Sequence, residues 1–255
     1  MMRRAFTLVE LVIVIALVGI LLGLLVPGLR GASEGARTMR CGSNLRQMAM
    51  AAFAYANTFR QQLPPAITYD CSGATVRTLA WDWAQESPGL TPGALWGFTD
   101  HPGTVQQCPS FAGASTFGAD PYTGYNYNTS YLAAEAPFPV SADDCGPESI
   151  RAGLPMTPHR RTTTTALFGD GGWRGGANKF MRAPCGSVEG DLGVVYSGAQ
   201  AFRHQGSTCV VYLDAHVGCP RQCCVGTNAS APLLQLMGHP ANGFLSADDS
   251  AYDPR

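Results

Sequence analysis

The chain opens on an unbroken apolar stretch, residues 6–26, whose only charge is Glu10. About 20 apolar residues suffice to cross a bilayer as a helix. A carboxylate at that depth costs roughly 2.5–3.5 kcal/mol on insertion scales. Glu10 therefore needs a partner inside the membrane, and an ammonium group on a neighbouring subunit is the natural one. Past Pro27 the pattern changes: Leu45, Met48, Ala49, Ala52, Phe53, Ala56 and Phe59 recur three and four apart, the signature of one face of an amphipathic helix. Arg37, Arg40, Arg46 and Arg60 fall on the other side. The spacing predicts one helix over 6–59, roughly 80 Å long at 1.5 Å per residue. It is bent near Pro27 and stopped by Pro64-Pro65. Its first half can pack only on lipid or on sister helices, and its second half has a stripe to bury against a head.

From residue 67 onward glycine, proline and short β-prone runs alternate. Residues 163–168, 193–196 and 208–213 read as strands; 111–124 and 145–158 are turn-rich and read as irregular. No internal repeat or low-complexity tract occurs. The predicted class is α+β: a long N-terminal α-helix, membrane-spanning in its first half, on a small antiparallel β-sheet head with long loops. Charged residues make up 14% and the net charge is −1, so no basic footprint points to nucleic acid. Lys179 is the single lysine. Arg3 and Arg4 ahead of the span place the N-terminus in the cytoplasm, while Arg30, Arg37, Arg40 and Arg46 behind it pull the other way.

Ala5-Phe6-Thr7-Leu8-Val9-Glu10 resembles the class III signal of type IV pilins and type II secretion pseudopilins. The resemblance implies a leader, 1–5, cut between Ala5 and Phe6 by a prepilin peptidase that methylates Phe6. It also implies pairing of Glu10 with Phe6 of the adjacent subunit, and a helix kink at Pro27. Ala5 stands where the family usually has Gly. The domains are then the leader 1–5, the transmembrane half-helix 6–26, the amphipathic half 27–62 and a β-rich head 63–255. A second resemblance lies in the head. His204, nine residues and then Asp214, continuing to Ala215 and His216, is similar to the His-x9-Asp-Gly segment of a group of bacterial prepilin-type proteins. Cys41-Gly-Ser-Asn-Leu-Arg-Gln, Cys108-Pro-Ser and Gly124-Tyr-Asn-Tyr-Asn resemble other landmarks of that group. Ala215 replaces its glycine, and alanine would be strained if the turn needs a positive φ.

The chemistry-bearing residues leave several readings open. His204, Asp214 and His216 are suitable metal ligands, but the simpler expectation is that His204 and Asp214 serve a turn while His216 lies on the surface. Asp248, Asp249 and Asp253 offer oxygen ligands of the kind calcium takes, as a C-terminal loop of some pseudopilins does, but their spacing does not match a self-contained loop motif; a solvated acidic tail is the simpler reading, and no cofactor is expected. The 9 cysteines favour disulfides in an exported head. Their connectivity does not follow from spacing; the family pattern implies Cys41 with Cys108. Cys219, Cys223 and Cys224 with His216 form an alternative zinc set. Asp170-Gly-Gly and Asp143-Asp144 read as solvated loops. Tyr125, Tyr127, Tyr131, Trp81, Trp83, Trp96 and Trp173 read as strand residues rather than a carbohydrate platform.

With no nucleophile elbow, phosphate loop or His-Glu-x-x-His, no enzyme is expected. The expected function is a structural subunit of a type II secretion pseudopilus or type IV pilus-like filament. Its head would be periplasmic or in an extracytoplasmic filament. Its partners would be copies of itself, other pilin-like subunits, the peptidase, an assembly platform and the membrane. The alternative is a membrane-tethered, non-polymerising binding module; a metal-dependent enzyme around His204 and His216 is a third reading.

Overall fold

The computed structural model describes residues 7–73, 75–86, 89–99, 105–115, 124–133, 143, 146, 153–156, 159–173, 176–184 and 198–255. Helix α1, Leu8–Thr58, is 51 residues long, about 76 Å at the standard rise. Thr7 caps its start in a capping box with Glu10. It runs without interruption through Pro27. Its end lies earlier than the prolines: Arg60 and Gln61 take left-handed φ of 53° and 62°. They turn the chain so that Gln61 N–H reaches the Ala56 carbonyl at 2.7 Å.

The two halves of α1 have opposite fates. The apolar residues from Leu8 to Val26 are exposed, whereas Cys41, Leu45, Met48, Ala49, Ala52 and Ala56 are buried in the head. Arg37, Arg40, Arg46 and Arg60 are exposed, on the side the pattern assigned them. Phe59 departs from the predicted stripe at 47% exposure, its ring meeting those of Tyr55 and Phe98.

Four short strands follow the helix. β1 (Ile67–Asp70), β2 (Arg77–Ala80), β3 (Trp83–Glu86) and β4 (Gly89–Pro92) form an antiparallel meander. A 3-10 turn, Ala94–Phe98, then packs on α1. β5 (Ala114–Ser115) pairs in parallel with β8 (Gly176–Ala177). The main sheet is organised around β7 (Ala166–Gly172), which pairs with β6 (Tyr125–Asn128), β10 (Ala199–Ala201) and β11 (Val210–Tyr212). β9 (Phe180–Met181) joins β6 in parallel, β12 (Val217–Gly218) closes a hairpin with β11, and β13 (Asn242–Gly243) extends β10. Helix α2, Ala231–Met237, is capped by Ser230 and ended by the left-handed Gly238.

β7 corrects the expectation for 163–168 and for Asp170. The strand begins at Ala166 and continues through Gly169-Asp170-Gly171-Gly172, every residue buried. Those glycines serve packing rather than a turn. A Cβ on Gly171 would lie 2.7 Å from the Asn178 carbonyl, and one on Gly172 would lie 2.8 Å from the Ala201 nitrogen. Residues 193–196 lie outside the described residues. The aromatic residues are core: Tyr127 stacks on Phe168 at 4.6 Å, and Trp81 meets both rings. All four tryptophans are buried, so no carbohydrate platform is presented by them.

The chain's single lysine is also inside. Lys179 Nζ lies 3.0 and 2.9 Å from the two Asp82 carboxylate oxygens. Their side chains are 2% and 0% exposed, and the ammonium sits 5.0 Å from the Trp83 ring centroid. Two opposite charges buried together offset part of each other's desolvation cost, and removing either one exposes the rest of it.

Candidate functional site: the exposed half-helix and a buried thiol–imidazole–carboxylate cluster

At the start of α1, Glu10 Oε2 accepts from the Thr7 amide at 2.9 Å and from the Thr7 hydroxyl at 2.7 Å. The Thr7 oxygen in turn accepts from the Glu10 amide at 3.3 Å. The side chain is thus held beside the first turn, at the edge of a wholly exposed apolar window of mean hydropathy 3.0. That window is long and apolar enough to cross a membrane. Gly19 and Gly23, spaced for close helix approach, have nothing within 4 Å of where a Cβ would be. Ala5 and Phe6, the expected processing residues, lie outside the described residues, as does the Pro27 side chain.

The His204 segment resolves into two separate places. His204 and Ser207 exchange backbone hydrogen bonds at 3.0 Å, across Gln205 and Gly206 with φ of 52° and 79°. Two successive positive φ values are the mark of a tight two-residue hairpin turn. Its backbone serves the turn, as the sequence implied, but its ring is buried at 2% exposure and turned into a polar cluster. Nε2 lies 3.1 Å from Asp170 Oδ2 and 3.4 Å from Cys108 Sγ. Nδ1 lies 3.1 Å from Glu34 Oε1, with the Thr38 hydroxyl at 3.3 Å. Asp214 and His216 are elsewhere, at the turn of the β11–β12 hairpin. There Asp214 Oδ1 accepts from the His216 amide at 3.1 Å and meets its ring nitrogen at 2.6 Å. The His216 ring stacks on Tyr212 at 4.4 Å. Ala215, in place of the expected glycine, takes φ 67°.

Four elements build the cluster. Helix α1 contributes Glu34, Thr38 and Cys41, spaced four and three apart so that they share one face. The His204–Ser207 turn supplies the imidazole, β7 supplies Asp170, and the residues leading into β11 supply Cys209. Cys41 Sγ donates to Asp170 Oδ1 at 3.3 Å, while the Tyr125 hydroxyl reaches Cys41 Sγ at 3.6 Å. The Cys209 amide donates to Asp170 Oδ2 at 2.9 Å. Burial alone would raise the Asp170 pKa, but the His204 hydrogen bond and the charges of Arg203 and His204 outweigh it and hold the carboxyl low. Burial works to lower His204, and hydrogen bonds with Asp170 and Cys108 overcome it, pushing the imidazole up to about 11. Burial drives the Cys41 thiol up.

The cysteine pairing differs from the expectation. Cys41 and Cys108 are neighbours in this cluster, with their side chains hydrogen-bonded, but both are free thiols. Cys209 and Cys219 lie opposite one another across the hairpin at 3.1 Å between sulfurs, also as free thiols. Cys71 is disulfide-bonded; Cys145 and Cys185 lie outside the described residues. Cys223 and Cys224 sit beside Gly243 and Phe244, so the set Cys219, Cys223, Cys224 and His216 is not gathered. The acidic tail is packed rather than frayed. Asp248 caps a 3-10 turn, Asp249 accepts from the Tyr131 hydroxyl, and Asp253 pairs with Arg255 at 2.9 Å. Tyr252 is fully buried, with its carbonyl accepting from Asn128. Among the described residues, the group able to hold a metal ion is Cys41, Asp170, His204 and Cys209.

A long helix, half bare and apolar and half buried in a β-rich head, defines a type IV pilin-like protein. Comparison with known families agrees at the N-terminus: residues 1–26 match the prokaryotic N-terminal methylation motif. Residues 30–143 match a family described as "Protein of unknown function (DUF1559)". No curated protein and no solved structure matches the chain. The methylation motif implies processing by a prepilin peptidase and assembly with other pilin subunits.

Proposed function

We propose that the protein is a structural subunit of a type II secretion pseudopilus or related type IV pilus-like filament, without catalytic activity of its own. The observation that carries this reading is the division of α1. Residues from Leu8 to Val26 present a bare apolar surface, while the same helix from Cys41 onward is sealed into the head. Such a surface is stable in lipid or against copies of itself, and a filament core of packed helices supplies the second. In this reading the N-terminus is cytoplasmic before assembly and the head lies outside the cytoplasmic membrane. Cleavage before Phe6 frees an ammonium group, and Glu10 of a neighbouring subunit receives it. Within one chain, Thr7 already satisfies part of the Glu10 carboxylate, which lowers the cost of holding it in the membrane before a partner arrives.

The test is Glu10→Ala in cells carrying the assembly machinery. Membrane insertion and leader removal should persist, while material recovered by shearing should fall at least tenfold. Sheared filaments at wild-type yield would refute the assembly role. A wild-type chain that is processed yet stays monomeric in the membrane would establish a tethered binding module instead.

A further inference from the structure

We propose that Cys41, Asp170, His204 and Cys209 form a zinc site that pins helix α1 to the central sheet. This site is independent of whether the chain polymerises. The ligand atoms all lie within 4.8 Å of one another, and all four residues are buried. Zinc bonded at 2.0–2.3 Å to sulfur, nitrogen and oxygen in a tetrahedron separates its ligands by about 3.3–3.8 Å. The carboxylate is already within about that reach of two other ligands, one through each oxygen: Asp170 Oδ2 lies 3.1 Å from His204 Nε2, and Oδ1 lies 3.3 Å from Cys41 Sγ. Two thiolates, an imidazole and one carboxylate suit zinc and do not suit calcium or magnesium, which take oxygen.

The surroundings are those of a ligand set. A zinc-bound histidine commonly gives its second ring N–H to a carboxylate, which fixes its orientation. Here Nε2 points into the cluster while Nδ1 faces Glu34 at 3.1 Å. Glu34 is itself held by the Ser110 hydroxyl at 2.8 Å. Asp170 is oriented by the Cys209 amide, and Cys41 by the Tyr125 hydroxyl. Cys108, 3.4 Å from Nε2, is a fifth donor at the rim. An open groove of about 620 Å³, lined by Thr38, His204, Ser207 and Cys219 among others, supplies a route for the ion. Four protein ligands leave no position for substrate, so the ion is structural rather than catalytic.

The experiment uses the full chain in detergent micelles, purified without chelator. Zinc is counted by elemental analysis, and thiols are mapped by alkylation and peptide mass. The expected result is one zinc per chain with Cys41 and Cys209 unalkylated until a chelator is added. Cobalt substituted for zinc should give a thiolate-to-cobalt charge-transfer band and the intense visible bands of a tetrahedral ion. Cys209→Ser and His204→Gln should reduce bound metal at least tenfold, whereas Asp214→Asn and His216→Gln should keep it. Because the cluster variants can fail to fold, the wild-type measurements decide by themselves. Folded, reduced protein holding less than a tenth of an equivalent of zinc would overturn the proposal. So would finding Cys41 or Cys209 in a disulfide in protein from native membranes.

Discussion

Ala215 offers a direct check on the hairpin that closes the His204–Asp214 segment. The residue adopts φ 67° at the third position of the turn, its amide bonded to the Tyr212 carbonyl at 2.9 Å. An L-residue in this left-handed region costs roughly 1–2 kcal/mol. Ala215→Gly removes that cost. Glycine gives back about 0.4–1 kcal/mol through the greater freedom of the unfolded chain. Loss of a half-buried methyl against the core returns roughly 0.4 kcal/mol more, half of the value for one buried carbon. The net is a stabilisation of about 0.5 kcal/mol, which for a domain of this size raises the melting temperature by about 1–2 °C. Ala215→Val goes the other way, since a β-branched residue at positive φ is a true outlier, and should lose about 1–2 kcal/mol by the same steric argument. The assay is thermal unfolding of the full chain in micelles, followed by the fluorescence of Trp81, Trp83, Trp96 and Trp173, all buried in the head. The expected order is glycine above alanine above valine. Glycine and valine variants destabilised alike would refute a left-handed residue at this position.

Lys179→Met removes the ammonium that both oxygens of the Asp82 carboxylate, 0% exposed, face, and should cost about 3–5 kcal/mol in denaturant unfolding; a loss below about 1 kcal/mol by that measure would show the pair to be solvated. Leu45→Ala empties a site where α1 is sealed to the sheet and should cost about 2–5 kcal/mol, while Leu17→Ala on the bare half should leave head unfolding unchanged. Burial raises the Asp214 pKa, but hydrogen bonds from His216 outweigh it and the net shift is downward. Its contribution to stability is therefore present above the ordinary carboxylate value and lost as pH falls through the folded one. The melting-temperature gap between wild type and Asp214→Asn should close on acidification, and a gap that widened toward low pH would reverse the assignment.

The helix and its division were legible because each half carries a long, regular signal. The uninterrupted apolar run and the three–four spacing of Leu45 to Ala56 both extend over many turns. The sheet was less legible because its strands are two to seven residues long, too short for an alternation to show, and because β7 is buried on both faces. A strand of that kind has no polar side, and its Gly-Asp-Gly-Gly reads as a turn until the backbones pressed against Gly171 and Gly172 are seen. That same misreading hid Asp170. His204 and Cys41 were visible as motif residues, but Asp170, Glu34 and Cys209 have no local pattern linking them. Only tertiary packing brings positions 34, 41, 170, 204 and 209 to one point. Periodicity did carry one usable hint: Glu34, Thr38 and Cys41 continue the buried face of α1 upstream of Leu45, and a carboxylate on that face has to meet something polar.

The burial of Lys179 has a consequence at the bench. With one lysine in 255 residues and its side chain 2% exposed, the folded head offers no amine to an activated ester or an aldehyde. Such reagents will report the chain's first residue or nothing, and amine crosslinking will leave assembled and dispersed subunits looking alike. A sudden gain of label on Lys179 is instead a clean signal that the head has opened, readable in a crude membrane without purifying the protein.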